Sequence, residues 1–410
     1  MSVLFQPVTV GGLRLRNRFV RSATQDYLGN PDGSVSDRQV ALYRELAAGG
    51  VGLIVSGHVY VAHPLGRASV NQNAIHDDRF VDGIRRLAEA AHAEGAALVL
   101  QISHAGRQTP QDWPEGQVPV APSAVREGGT GRSPRALTEE EIWSLIDAFA
   151  AAMGRARAAG CDGVQLHVAH GYLLSAFLSP YTNRRTDAWG GSLENRCRIL
   201  REILARGRRA VGEAYPVLVK LNSTDGFPGE NVLSQSDVTA AACLLAGWGV
   251  SAIEVSGGHR EARGVMSRPK VLSPEQEAYF AEAARAVKAA AGVPVILVGG
   301  LRSRAVMERV VTDGSADLVA LSRPLVCEPD LVNRLRAGQA KAACVSCNAC
   351  FNPDGLRCWR LSVRIPPPGR LGPVIERYPG SHDETDGAER EAAAGTTAPV
   401  VTDEGTKGPT

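Results

Sequence analysis

Two histidines three residues apart, His167 and His170, are followed at once by Gly171 and Tyr172 in this 410-residue chain. Two imidazoles so spaced after a strand can aim at one electronegative atom, and a nearby phenol can deliver a proton. A pair of satisfied structural histidines is the competing reading. A metal pair is another, but no carboxylate stands between them in an H-E-x-x-H arrangement and no third ligand is evident. A second pattern, C-x2-C-x2-C-x7-C, comes from Cys344, Cys347, Cys350 and Cys358. Four thiolates at that spacing suit a tetrahedral Zn2+ or a [4Fe–4S] cluster, with unliganded cysteines as the alternative. The other cysteines, Cys161, Cys197, Cys243 and Cys327, are scattered through apolar or helical contexts. Gly299 and Gly300, with Arg323 further on, offer backbone N–H groups and a cation to an anion, unless the glycines only make a turn and Arg323 a surface ion pair.

Something must hold these residues together, and the sequence supplies an alternation of strands and helices. Short β-branched, apolar runs at 18–21, 52–56, 97–102, 163–167, 217–221, 252–255, 295–298 and 318–320 read as parallel strands buried on both faces. Helical stretches follow at 38–48, 78–94, 138–159, 192–211, 234–247, 274–291, 303–311 and 331–336. Thr138-Glu139-Glu140-Glu141 is a capping box, and Ser273-Pro274 places Pro at a first helical position. Eight such alternations predict a (β/α)8 barrel, with a doubly wound sheet as the alternative. In such a barrel chemistry sits at the carboxyl ends of the strands, where this chain carries Ser22 to Gln25, Ser56 to His58, Gln101 to Arg107, His167 to Tyr172, Lys220 to Asn222, Gly299, Gly300, Ser322 and Arg323.

Composition narrows the remaining classes. Lys plus Arg number 45 against 43 Asp plus Glu, a net charge of +2 that gives no case for nucleic acid or an acidic membrane surface. No run approaches the ~18 apolar residues of a membrane span, and the start lacks a signal-peptide pattern, so a cytoplasmic protein is expected. The predicted organisation is a barrel over 1–340, a Cys-rich segment over 341–365, and a disordered tail over 366–410, where large apolar residues become scarce. The Pro- and Gly-rich loop 107–135 reads as a lid or binding segment, and Tyr27, Trp113 and 258–270 are expected to shape the pocket.

Read together, the motifs resemble the old yellow enzyme family of FMN-dependent ene-reductases. They are Leu4-Phe5-Gln6-Pro7 with Asn17-Arg18-Phe19-Val20, then Gln101-Ile102-Ser103-His104-Ala105-Gly106-Arg107, then His167 to Leu173, then the long run Ser179 to Arg196. The resemblance implies that Gln101 bonds the flavin pyrimidine edge and that Lys220 sits near N1 and O2. It implies that Ser22, Ala23 and Gly57 approach the ring through their backbone, with Thr24 beside them. Gly299, Gly300, Ser322 and Arg323 would hold the FMN phosphate. His167 and His170 would bond the carbonyl or nitro oxygen of a substrate with an electron-poor alkene, Tyr27 would line its pocket, and Tyr172 would protonate the α-carbon. NAD(P)H is the implied hydride source, and family members often assemble as homo-oligomers.

Three departures stand out. Gln25 occupies the position beside flavin N5 and O4 where Thr or Cys is frequent, which excludes a covalent Cys–FMN link. Lys220 replaces the more frequent Arg, keeping charge but losing the planar fork. Ser322 replaces a frequent Gly. The cysteine run is similar to that of the branch containing 2,4-dienoyl-CoA reductase and trimethylamine dehydrogenase, with a shorter final gap and no G-x-G-x-x-G after it. That likeness implies an iron–sulfur flavoprotein exchanging electrons with an external carrier as the alternative function. A flavin- or ligand-binding barrel without turnover is the alternative of another class.

Overall fold

The structure, a computed structural model, describes residues 2–110, 116–351, 355–358, 362–364 and 374–376. Eight parallel strands close on themselves: β1 (Phe19–Arg21), β2 (Leu53–Val55), β3 (Ala97–Ser103), β4 (Gly163–Val168), β5 (Val217–Asn222), β6 (Ala252–Ser256), β7 (Val295–Val298) and β8 (Leu318–Leu321). Each pairs with the next, and β8 pairs back onto β1 through Val319 opposite Phe19. Closure rules out the doubly wound sheet. Every residue of β4, β5 and β6 is buried, as a sheet covered by helices requires.

The helices on the outside are α1 (Asp37–Ala48), α2 (Val81–His92), α3 (Glu139–Ala158), α4 (Leu193–Val211), α5 (Gln235–Gly247), α6 (Ala281–Ala291), α7 (Arg304–Thr312) and α8 (Leu331–Arg336). Capping boxes open α1 from Ser36, α3 from Thr138 and α5 from Ser234. None of the described helices is long and apolar enough to cross a membrane. One predicted boundary moves. The helix expected over 274–291 breaks into a single turn at Pro274–Gln276 and then α6. The cause is tertiary. The Glu277 carboxylate accepts hydrogen bonds from Arg302 N (2.7 Å), Ser303 N (2.8 Å) and Ser303 Oγ (2.6 Å), which hold Glu277 out of the helix ahead of a left-handed Ala278 (φ 55°). Tyr279 and Phe280 consequently pack against Gly299 and Gly300 at the barrel mouth.

Two apolar layers hold the barrel. The inner one, including Val20, Leu53, Val99, Leu218, Ile296 and Leu318, is completed by Val10 and Leu15. Those two belong to an antiparallel hairpin, Val8–Val10 with Leu13–Leu15, that seals the amino end of the barrel. Its turn uses Gly11 at φ 54°, where a Cβ would stand 2.4 Å from the Ser251 side chain, so only glycine fits. The outer layer packs the strands on the helices.

The motif run Ser179 to Arg196 is scaffold. Asn183 Nδ2 donates to Phe177 O (2.7 Å) and Trp189 O (2.9 Å), and Arg196 Nη1 donates to Leu178 O (2.6 Å). An antiparallel pairing of Ser362–Arg364 with Val374–Glu376 crosses the predicted tail boundary at 366. The rest of the predicted disordered tail lies outside the described residues.

Candidate active site

The carboxyl ends of the strands open on a cavity of about 790 Å³, within the size range of small-molecule sites. Ser22, Ala23, Thr24 and Gln25 reach it from the end of β1, Gln101 from β3, His167 from β4 and Lys220 from β5. Tyr27, His170, Tyr172, Gly299, Gly300, Ser322 and Arg323 complete the set that the sequence pointed to. Gly57 is the exception. It does not line the cavity; its N–H donates to Tyr43 Oη (3.2 Å), and a Cβ there would stand 3.0 Å from Thr24 O.

His167, His170 and Tyr172 form one cluster, with ring centroids 5.1 Å apart between the histidines and 4.9 Å between His167 and Tyr172. His167 Nδ1 is buried and has no hydrogen-bond partner. An orphaned imidazole nitrogen in a cavity wall is a binding group open to a ligand. His170 Nε2 lies 2.8 Å from Ser256 Oγ, so the two histidines do not share one target through the same atoms. The backbone of His170 is left-handed (φ 64°) and held there by its N–H to Asn222 Oδ1 (3.1 Å) and by Gln108 Nε2 to its carbonyl (2.7 Å). Burial and the neighbouring charges of His58, His170 and Lys220 hold His167 well below the usual imidazole range, and burial with Lys220 does the same to His170. Both rings are therefore neutral at pH 7. Burial pushes the Tyr172 phenol up, aided by Tyr27, so it keeps its proton.

Beneath the cavity runs a buried polar chain. Lys220 Nζ lies 3.0 Å from Glu254 Oε1 and donates to Ser22 Oγ (2.8 Å), while Ser22 Oγ–H donates to Glu254 Oε1 (2.6 Å). Gln165 Nε2 donates to Glu254 Oε2 (2.9 Å), and Gln101 Nε2 donates to Gln165 Oε1 (2.7 Å).

The opposite end suits an anion. Gly300 has φ 68°, and a Cβ there would meet Tyr279 at 2.7 Å, so the backbone lies open only as glycine. Arg323 is buried with Nη1 donating to Asn348 Oδ1 (2.6 Å) and Arg268 O (2.9 Å), and Ser322 Oγ sits 2.8 Å from Thr24 Oγ1. Gln108 and Pro110 of the predicted lid, and Arg260, Met266 and Ser267 of the predicted pocket segment, also line the cavity. Trp113 lies outside the described residues.

Beside Arg323 a small pocket gathers Cys344, Cys347, Cys350 and Cys358, together with Cys327 from the short helix Arg323–Cys327. A hydrogen bond with Cys358, then burial, pushes the Cys327 thiol up, and burial pushes Cys350 up to about 11. Among the described residues no group of three His, Cys, Asp or Glu is arranged to hold a metal ion.

Sequence reasoning placed His58 at a strand end without a role; its Nδ1 is 2.9 Å from Ser103 Oγ and its ring packs 4.8 Å from Tyr172. It missed Glu254, Gln165 and Asn348. Glu254 did leave a signal, being the single carboxylate in the apolar run Ala252–Ser256.

Comparison with known proteins places the chain in a family. It belongs to the NADH:flavin oxidoreductase / NADH oxidase family, whose profile matches residues 3–342. It is 38% identical over 377 residues to an NADH oxidase of Thermoanaerobacter brockii, covering 91% of this chain and 57% of that one. It is 36% identical over 328 residues to an NADPH dehydrogenase of Halalkalibacterium halodurans, covering 80% and 91%. A solved complex of 2-naphthoyl-CoA reductase with 2-naphthoyl-CoA matches with a TM-score of 0.78 at 30% identity, covering 85% of this chain and 54% of that one. The chain thus spans about half the length of the longer relatives it matches.

Proposed function

We propose that this chain is an FMN-dependent oxidoreductase that reduces activated C=C bonds with hydride from NAD(P)H. The observation that carries the reading is the neutral His167–His170–Tyr172 cluster, with the orphaned His167 Nδ1, at the mouth of a flavin-family barrel. The cavity fits FMN: Gly299, Gly300, Ser322 and Arg323 suit its phosphate, and Gln101 and Lys220 its pyrimidine edge. Ser22, Ala23, Thr24 and Gln25 would flank the ring. When bound, FMN supplies two-electron hydride transfer between NAD(P)H and the substrate.

The protein's own groups then polarise and protonate. A neutral imidazole has one N–H; where Ser256 Oγ–H donates to His170 Nε2 (2.8 Å apart) the proton is on Nδ1, and where Nε2–H donates to Ser256 it is not. His167 and His170 would donate to the oxygen of an enone, enal or nitroalkene, drawing charge from the β-carbon. Tyr172, held protonated by its surroundings, would give its proton to the α-carbon. Tyr27 would bound the substrate side.

The test is anaerobic absorption spectroscopy. Flavin bands should bleach with NADPH or NADH and return on adding an enone. Tyr172→Phe should slow the return by about 10²-fold or more while leaving bleaching unchanged. Protein that takes up no FMN overturns the reading.

A second reading adds an electron-transfer centre, supported by the five thiols around one pocket beside Arg323. A zinc ion takes four sulfurs at about 2.3 Å from one point, and Cys344, Cys347, Cys350 and Cys358 have the spacing for that as for a cluster. A [4Fe–4S] cube spreads its ligands over four corners and would be held by Cys344, Cys347, Cys350 and Cys358. Iron and acid-labile sulfide assays on anaerobically purified protein decide it.

A further inference from the structure

Lys220 and Glu254 occupy paired register positions on β5 and β6, with side chains 3% and 0% exposed. Both oxygens of Glu254 are used: Oε1 by Lys220 Nζ and Ser22 Oγ, Oε2 by Gln165 Nε2. Glu254 does not line the cavity, but Lys220, Ser22 and Gln101, which it holds directly or through Gln165, all do. A buried carboxylate 3.0 Å from the ammonium offsets a large part of its field at points farther away than that separation. A bare ammonium would favour an electron-rich ligand, whereas the pair presents a nearly neutral floor.

We infer that Glu254 is a positioning residue that neutralises Lys220 and thereby lowers the preference of the cavity for reduced over oxidised FMN. The inference rests on the flavin reading above. It assigns a function to the one carboxylate in the barrel interior that the proposed mechanism leaves unused. It also bears on the Lys-for-Arg replacement. A compact ammonium can be matched by one carboxylate oxygen together with a serine hydroxyl, whereas a planar guanidinium presents five donors in a fork.

The experiment is spectroelectrochemical titration of FMN-reconstituted wild type, Glu254→Gln, Lys220→Gln and the Lys220→Gln/Glu254→Gln double variant. Glu254→Gln leaves Lys220 uncompensated and should raise the preference for reduced FMN about tenfold, which for a two-electron couple is a rise of about 30 mV. Lys220→Gln leaves the carboxylate uncompensated and should lower the potential. The double variant, neutral again, should return to the wild-type value. If Glu254→Gln does not fold, the other pair still decides. A double variant whose potential equals that of Lys220→Gln and lies below wild type overturns the inference, because Lys220 would then have acted as a bare charge. An unchanged potential in folded Glu254→Gln overturns it too. Wild type that binds no FMN instead overturns the flavin reading.

Discussion

The mouth of the barrel and the corner holding the cysteines both gather titratable side chains around a hollow, and they are built in opposite ways. At the mouth, His167 and Lys220 occupy paired register positions on β4 and β5, and Gln101 comes from β3, bonded to β4. A hydrogen-bonded ladder fixes those positions whatever fills the cavity. In the corner, Cys344, Cys347 and Cys350 lie on chain without helix or strand, with Ser346 (φ 56°) and Asn348 (φ 63°) left-handed between them. Only Cys327 stands on a helix. The mouth is therefore preorganised. The corner takes its order from side-chain braces, such as Glu328 Oε2 accepting from Ala343 N (2.6 Å).

The sharpest way to break this comparison is to remove two thiols. Cys344→Ser with Cys347→Ser should abolish iron and sulfide retention altogether, yet FMN content should stay within about twofold of wild type. Equal loss of both, read by metal analysis and flavin absorbance on one sample, would show that the mouth depends on the corner.

A second test uses acid. Burial, with the Lys220 charge, holds His58 down at about 4 against an ordinary imidazole value of about 6.5. Between those values the unfolded chain binds the proton and the folded one does not. Stability is therefore full above pH 6.5 and falls toward pH 4, by roughly 3 kcal/mol for this one group. Denaturant titrations of His58→Asn at pH 7 and pH 4.5 should show a smaller difference than wild type. An unchanged difference would place the acid sensitivity on groups other than His58, with His167 and His170 next to be tested.

The smallest effect expected lies at the joint between the two regions. Asn348→Ala removes an acceptor from Arg323 and a donor to Ser267 O. FMN affinity, read by quenching of flavin fluorescence, should weaken by a few fold, corresponding to about 1 kcal/mol. No change would mean that the mouth holds its anion end unaided.

The barrel was legible because each strand is a short apolar run followed by a stretch of helical length, four of the eight helices opening on a side-chain cap. The eight predicted strands lie within two residues of those observed. Ser22 to Gln25, His167 and Lys220 were legible for the same reason, since strand ends in a closed barrel must face one mouth. The sealing hairpin was overlooked although Gly11-Gly12 between alternating residues is a turn signal, its three-residue strands being too short to register against the barrel pattern. The late start of α6 and the buried place of Glu254 depend on partners 25 and more residues away, Arg302 and Ser303 for the first and Lys220 and Ser22 for the second. Local spacing carries no trace of such partners. Cys327 entered the corner unannounced because its helix belongs to the barrel and its thiol to the cysteine run.

One guanidinium belongs to both regions. Arg323 lines the large cavity while its Nη1 is engaged by Asn348 Oδ1 and the Ser346 carbonyl, residues interleaved with the thiols. A rearrangement of the sulfurs that shifted those two acceptors would change how many N–H groups Arg323 can offer across the partition. Chemistry at the sulfurs and anion retention in the barrel thus have a party wall, and the wall is a single side chain.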